Sequence, residues 1–137
     1  MQQATTETIA LLKARKYRIT DARVAVIEAF ATQTKPHTIA EFVEHVAVDE
    51  ATVYRTIELL LEEELIESIS ANGETLFALA HGHHHHLICE KCGLIEHLPC
   101  QTPALTLTKH PFAHITSHEV TFYGLCKACD HELKALK

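Results

Sequence analysis

The chain has 137 residues, of which 47% are hydrophobic, and its formal net charge is −6. This length suits one or two small domains, and the composition is too apolar for a disordered chain. No apolar run approaches the roughly 20 residues that span a bilayer, and the polar segment Met1–Glu7 does not resemble a secretory signal. We therefore expect a cytoplasmic globular protein without a membrane partner.

Four amphipathic helices are predicted in the first 80 residues. The first contains Ile9 and Leu12, the second follows Thr20, the third opens at a capping box of Thr38 and Glu41, and the fourth begins near residue 50. The apolar positions expected to face inward in the fourth helix are Val53, Ile57, Leu60 and Leu61.

Two β-type segments, 65–70 and 75–79, follow the fourth helix and flank Ala-Asn-Gly, a hairpin signal because Asn-Gly accepts positive φ. Helices followed by such a hairpin indicate a winged helix. The fourth helix would then enter the major groove, where Thr52, Tyr54 and Arg55 reach bases or phosphates. The alternative is a helical bundle with a solvated face.

Charge bears on this choice in two ways. Phosphate contacts supply most non-specific affinity for nucleic acid, so a net negative charge argues against strong DNA binding. However, Arg15, Arg18 and Arg23 lie with two lysines in one short basic segment. DNA binding therefore stays open, with metal binding or dimerisation supplying further affinity.

The pattern changes near Ala80, after which histidine, cysteine and β-type alternation dominate. We predict an α+β protein with a winged-helix DNA-binding domain at residues 1–80 and a small α/β metal-binding domain at residues 81–137.

Two Cys-x-x-Cys pairs lie in the second domain, Cys89 with Cys92 and Cys126 with Cys129. A two-residue gap lets both sulfurs of a turn reach one ion, so four thiolates predict a tetrahedral structural zinc site. One alternative is a redox-active cysteine pair. The other is two unrelated thiol pairs that have no function. The fifth cysteine, Cys100, is either an ordinary thiol or an accessory ligand beside the histidines.

Four consecutive histidines, His83 to His86, precede Cys89. In an extended strand alternate side chains point to opposite faces, so His84 and His86 share one face. A hairpin that pairs Cys89 with Cys92 also pairs His84 with His97. We therefore predict three imidazoles on one face, a set suited to metal binding.

The opposite face predicts a second metal site. The same register places Glu96 beside His83 and His85, and His118 begins an alternating strand at 118–125 as the further ligand. The histidines outside these clusters are interpreted as ordinary surface or core residues.

Together these motifs resemble the ferric uptake regulator family of metal-dependent repressors over essentially the whole chain. The segments that carry the resemblance are 19–23, 51–56, 83–93 and 123–129. The resemblance implies a homodimer joined through the second domain, with structural zinc on the four paired cysteines. It also implies that Tyr54, Arg55 and a basic residue near Arg18 contact double-stranded operator DNA, and we include Arg15 of the same segment.

For the sensing site, the resemblance points to His37, His84 and His86, with His97 where iron- and peroxide-sensing members carry a carboxylate. The family resemblance also leads us to expect an acidic residue near the end of the β-hairpin, which is the wing of the winged helix. This chain has Ala78 at that position.

Zinc-sensing relatives draw ligands from near Glu67 and His81, so these two are candidates for the missing ligand. At the second site the expected acid falls near Gln101, which leaves that ligand open.

Imidazole in place of oxygen ligands shifts preference towards zinc or nickel. We therefore predict a zinc-sensing repressor of metal-uptake genes that binds palindromic DNA when loaded with metal. An iron-, manganese- or nickel-sensing member of the same family is the alternative.

Two further functional classes each account for part of the sequence. A metal buffer or chaperone would need the His and Cys clusters but not the Arg-rich segment. A zinc hydrolase would need an open coordination position and a general base, for which Glu96 could serve, but no His-Glu-x-x-His signature accompanies it. We expect neither an enzyme nor a small-molecule substrate.

Overall fold

The computed structural model describes residues 2–80, 82–100 and 109–135. The chain divides into two compact units, Met1–Ala80 and His81–Lys137. In chain order the described elements are α1 (Gln2–Ala14), α2 (Asp21–Thr32), α3 (Ile39–His45), α4 (Glu50–Glu62), β1 (Ile66–Ala71), β2 (Glu74–Leu79), β3 (His84–Cys89), β4 (Ile95–Pro99), β5 (Thr121–Gly124) and α5 (Lys127–Ala135). None of the helices in the described ranges is long and apolar enough to cross a membrane.

The first unit has a core of aliphatic and phenyl side chains. Phe30 of α2 and Phe42 of α3 are both buried, with ring centroids 4.2 Å apart. The inner face of α4 joins this core through Val53, Ile57 and Leu60, as predicted, whereas Leu61 is only partly buried. Full burial of one such side chain contributes about 1.5–3 kcal/mol, so the core fixes which face of α4 points outward.

Side-chain caps set where α2, α3 and α4 begin. Thr20 and Asp49 each accept a hydrogen bond from a backbone N–H three residues later, and Thr38 forms the predicted capping box with Glu41. A cap of this kind contributes about 1 kcal/mol. Asp49 therefore fixes the start of α4, the helix whose outer face is exposed.

The predicted hairpin is confirmed to within a residue. β1 and β2 pair antiparallel from Ile66 with Leu79 to Ala71 with Glu74. The two residues between the strands, Asn72 and Gly73, have φ of 50° and 82°, as a tight type I′ turn requires. With α3 and α4 before it, this hairpin completes a winged helix.

The second unit has a three-stranded sheet in the order β4-β3-β5, with β5 parallel to the central strand. β5 is shorter than the predicted 118–125 because its pairing with β3 runs only from His86 to Cys89. Helix α5, which the sequence patterns did not predict, follows and carries Cys129 on its buried side.

The predicted register of β3 with β4 is wrong by two residues. The structure pairs His86 with His97 instead of His84 with His97. The reason is the cysteine turn, in which the N–H of Cys89 donates to the carbonyl of Leu94 at 2.9 Å and Gly93 adopts φ of 77°. A shift of two keeps every side chain on its face, whereas a shift of one would have exchanged the faces.

Glu63, just after α4, binds two residues that follow α1. The Tyr17 hydroxyl donates to Glu63 Oε1 at 2.5 Å, and the Arg15 guanidinium forms an ion pair with the other oxygen. The Tyr17 hydrogen bond, reinforced by Arg15, holds the pKa of Glu63 below its usual value. Arg15, predicted to contact DNA, is therefore engaged within the first unit.

Replacing Glu63 with Gln should destabilise the protein at neutral pH. A carboxylate with a lowered pKa contributes stability above its ordinary pKa and loses it as the pH falls through the lowered value. The difference in urea midpoint between Glu63→Gln and wild type should therefore shrink as the pH falls from neutral towards about 3. Glu58→Gln, at an exposed position of α4, is the control and should change little. An equal loss of stability in Glu63→Gln at neutral pH and at a pH of about 3 would contradict this account.

Candidate metal centres and nucleic-acid face

The four paired cysteines converge in the second unit. Their sulfur atoms all lie within 4.8 Å of one another, and Sγ of Cys92 is 3.8 Å from Sγ of Cys126. Cys89 ends β3, and Cys126 and Cys129 lie around the start of α5. The two predicted knuckles thus come together at the end of the central strand, with Cys89 and Cys129 buried.

The chemistry of this cluster fits a cation held by thiolates. Sγ of Cys89 accepts hydrogen bonds from the N–H groups of Cys92 and Cys126, which lower its pKa to about 6. Without a metal the neighbouring Cys126 and burial raise the pKa of Cys129 to about 12. Four close sulfurs ionise together only when a positive charge compensates them, as zinc does in closed tetrahedral sites.

The three histidines predicted for one face of β3 also come together. The ring centroids of His84 and His97 are 4.4 Å apart, and those of His86 and His97 are 5.4 Å apart. Nε2 of His84 lies 3.2 Å from Nε2 of His86. We call His84, His86 and His97 the imidazole trio.

The orientation of His84 suits a metal ligand. Its Nδ1 lies 3.1 Å from the Gly82 carbonyl, which can only accept, so Nδ1 carries the proton and Nε2 keeps its lone pair. A backbone carbonyl commonly fixes the tautomer of a metal-binding histidine in this way. The trio therefore presents nitrogen atoms that a borderline-soft cation would bind.

The opposite face holds a different donor set from the predicted one. The structure gathers His83, His85 and His118, as predicted, with Cys100 as the fourth donor. Glu96, the predicted ligand, lies opposite Leu87 of β3 because of the register shift. The residue near which the family's acid was expected, Gln101, lies outside the described residues.

His85 is the buried member of this second cluster, with 5% of its surface exposed. Burial, reinforced by the neighbouring His83 and His118, lowers its pKa. Its Nδ1 accepts a hydrogen bond from the Val120 N–H at 3.2 Å. Because Nδ1 accepts this bond, the neutral ring carries its proton on Nε2, which in the described part of the chain is buried without a hydrogen-bond partner.

Two of the predicted sensing residues belong to the first unit. Backbone hydrogen bonds of 3.1 and 2.8 Å join His37 to Phe77 of β2, and Nδ1 of His37 lies 3.8 Å from the Glu41 carboxylate. Glu67 is half-buried on β1, opposite Ala78. The remaining candidate, His81, lies outside the described residues.

The outward face of α4 carries two of the predicted DNA contacts. Tyr54 is 43% exposed and Arg55 is exposed beside it. Thr52 is half-buried, and its hydroxyl donates to the Asp49 cap at 2.6 Å, so it is engaged in the helix start. Arg18 is exposed, and its carbonyl accepts from the Arg23 guanidinium at 2.5 Å.

Comparison with known proteins agrees with this architecture. Residues 14–123 match the sequence model of the ferric uptake regulator family. A ferric uptake regulation protein of Staphylococcus aureus is 31% identical over 136 residues, which span 91% of this chain and 97% of that protein.

Solved structures share the fold. The Helicobacter pylori ferric uptake regulator Fur, reported with three functional metal binding sites, matches with a TM-score of 0.75 and 19% identity over 95% of this chain and 94% of that one. A zinc uptake regulator complexed with zinc and DNA matches with a TM-score of 0.68 and 19% identity over 98% and 97%.

A winged helix followed by a domain rich in clustered cysteine and histidine defines a metal-responsive transcription regulator. The chain belongs to the ferric uptake regulator family. The fold predicted from the sequence is thereby confirmed.

Replacing Cys89 with Ser should release the most tightly held zinc and lower the thermal stability of the protein. The reason is that binding to a structural zinc site contributes folding free energy directly. Zinc content after dialysis against a weak chelator, together with thermal melting, measures both effects. Cys100→Ser is the matched control and should keep this zinc. Full zinc retention in Cys89→Ser would rule out the four-cysteine site.

Proposed function

We propose that the chain is a zinc-sensing transcription repressor that binds palindromic operator DNA as a homodimer and silences metal-uptake genes in the cytoplasm. The observation that carries the proposal is the imidazole trio. Its three donors are all imidazole nitrogens. Nitrogen-rich sets favour zinc over manganese, which prefers oxygen ligands.

In the proposed mechanism the sensing ion joins the trio to His37 of the first unit. Glu67 of the first unit or His81 of the second is the further donor. The backbone bonds of His37 to Phe77 support this role, because an ion on its imidazole would act directly on the wing.

The consequence is a switch of conformation. An ion bound by both units would select one orientation of the recognition helices, suited to major grooves one or more helical turns apart. Linkage then requires that DNA tighten metal binding by the same factor. The net charge of −6 supports this dependence, because unaided affinity for phosphates is expected to be weak.

DNA contact is assigned to Tyr54 and Arg55 on α4, supported by Arg18 in the basic segment. Both α4 side chains are exposed on the face opposite the core. A zinc uptake regulator with the same fold is known in complex with zinc and DNA.

An exposed apolar surface on the second unit supports the homodimer. Leu87, Phe122, Tyr123 and Leu125 are each 41–54% exposed. Leu87 and Phe122 are paired across β3 and β5 and form one patch on the same face of the sheet, whereas alternation places Tyr123 on the other face. Contiguous patches of this kind mark protein interfaces, and a second copy of the chain is the partner we assign.

The proposal is tested by titrating palindromic operator DNA with protein that holds only its cysteine-bound zinc, plus Zn²⁺, Fe²⁺, Mn²⁺ or Ni²⁺ in turn. Fluorescence anisotropy should show tight binding at the lowest free concentration with Zn²⁺. Activation by Fe²⁺ at concentrations where Zn²⁺ fails would overturn the zinc assignment.

His97→Glu provides the matched variant for this titration. A carboxylate in place of an imidazole should weaken the response to Zn²⁺ relative to Fe²⁺ and Mn²⁺. An unchanged order of metals would show that His97 does not bind the sensing ion.

Arg55→Ala should weaken operator binding by about 1–3 kcal/mol if Arg55 contacts a base, while the metal content stays unchanged. Tyr54→Ala should act in the same direction. Glu58→Gln, exposed on the same helix, should not weaken binding. Equal operator affinity of Arg55→Ala and wild type would favour a metal buffer that binds no DNA.

A further inference from the structure

Cys100 completes a cluster with His83, His85 and His118 on the face of β3 opposite the trio. Nε2 of His83 lies 2.9 Å from Nε2 of His118, and Sγ of Cys100 lies 3.4 Å from the same nitrogen. One ligand atom from each residue lies within 4.8 Å of every other. Three imidazoles and one thiol thus lie within reach of a single ion.

Strand pairing explains why Cys100 reaches this cluster. The last pair of the β3–β4 ladder is His84 with Pro99. One step further along both chains aligns His83 with Cys100, and alternation places both on the face that carries His85. The cysteine is therefore brought to the histidines by the backbone register, in the place where the sequence had predicted Glu96.

We propose that Cys100 supplies a thiolate as the fourth ligand of this cluster, in place of the acid that the family resemblance leads us to expect near residue 101, and that the thiolate restricts the site to zinc-class divalent ions. Ideal tetrahedral zinc would hold such donors roughly 3.3–3.6 Å apart, so loading needs only modest shifts, with some donors moving closer and the two Nε2 atoms of His83 and His118 moving apart. Binding releases the thiol proton to solvent.

The thiolate determines which ions the site accepts. Thiolate with imidazole favours zinc and cobalt, whereas oxygen ligands suit manganese and magnesium. A carboxylate such as Glu96 would have made the site more permissive. The site lies on the other face of β3 from the trio, so its existence is independent of the repressor proposal.

Cobalt(II) is the probe for the first test, because a thiolate ligand adds a near-ultraviolet charge-transfer band to the visible bands of tetrahedral cobalt. Protein with zinc in its four-cysteine site is titrated with cobalt(II), and the zinc content is measured throughout to exclude exchange. Wild type should develop the charge-transfer band. Cys100→Ser should lack it, and Cys100→Asp should lack it while retaining visible bands through its carboxylate.

A variant with His84→Ala and His97→Ala, which removes the trio, is the matched control and should keep the charge-transfer band. A band of equal intensity in Cys100→Ser, with zinc retained, would overturn the proposal. So would the absence of the band in wild type.

Alkylation of wild-type Cys100 gives a readout that needs no cysteine variant. Iodoacetamide labelling followed by mass spectrometry should slow by at least about tenfold when cobalt(II) is present, because a coordinated thiolate is a poorer nucleophile. In His118→Ala this protection should be lost. Equal labelling of Cys100 with and without metal in the wild-type protein would show that the thiol is not a ligand.

Discussion

The alternation of side chains along β3 is the constraint on which the metal chemistry of this protein depends. β4 and β5 hold the strand from both edges, so its pleat cannot rotate or slip by one residue without exchanging faces. The even-numbered histidines therefore face His97, the odd-numbered ones face His118, and the strand ends at the buried Cys89. One strand of six residues, with the histidine before it, thus contributes ligands to three separate donor clusters.

The two units differ in what stabilises them. The first has a core of buried apolar side chains from its helices and wing. In the second, the buried residues among those that the structure describes are His85, Ile88, Cys89 and Cys129. So small an apolar core stabilises a fold weakly, and metal ligation is the usual supplement in small domains. The second unit is therefore the one whose stability we expect to depend on metal.

Much of this organisation was predictable because it depends on local chemistry. Thr38 with Glu41 and Asn72 with Gly73 specify a helix start and a turn by themselves, and periodicity identified the inner face of α4. The register of β3 with β4 was not predictable, because the hydrogen bonds of the cysteine turn set it. Because of that error, the sequence predicted Glu96 in the second cluster where the structure has Cys100. The shift was two residues, so each side chain stayed on its predicted face and the imidazole trio was predicted correctly. The partnership of Arg15 with Glu63 joins residues 48 positions apart, which no local pattern reveals.

Zinc K-edge X-ray absorption at increasing metal loading tests most directly whether one strand supplies separate sites of different chemistry. The first equivalent of zinc per chain should show a shell of sulfur alone, near the 2.3 Å typical of zinc thiolates. Later equivalents should add a nitrogen shell near 2.0 Å with the scattering pattern of imidazole rings. A mixed sulfur and nitrogen shell from the first equivalent onward, or no imidazole signal at full loading, would contradict the division of ligands described for β3.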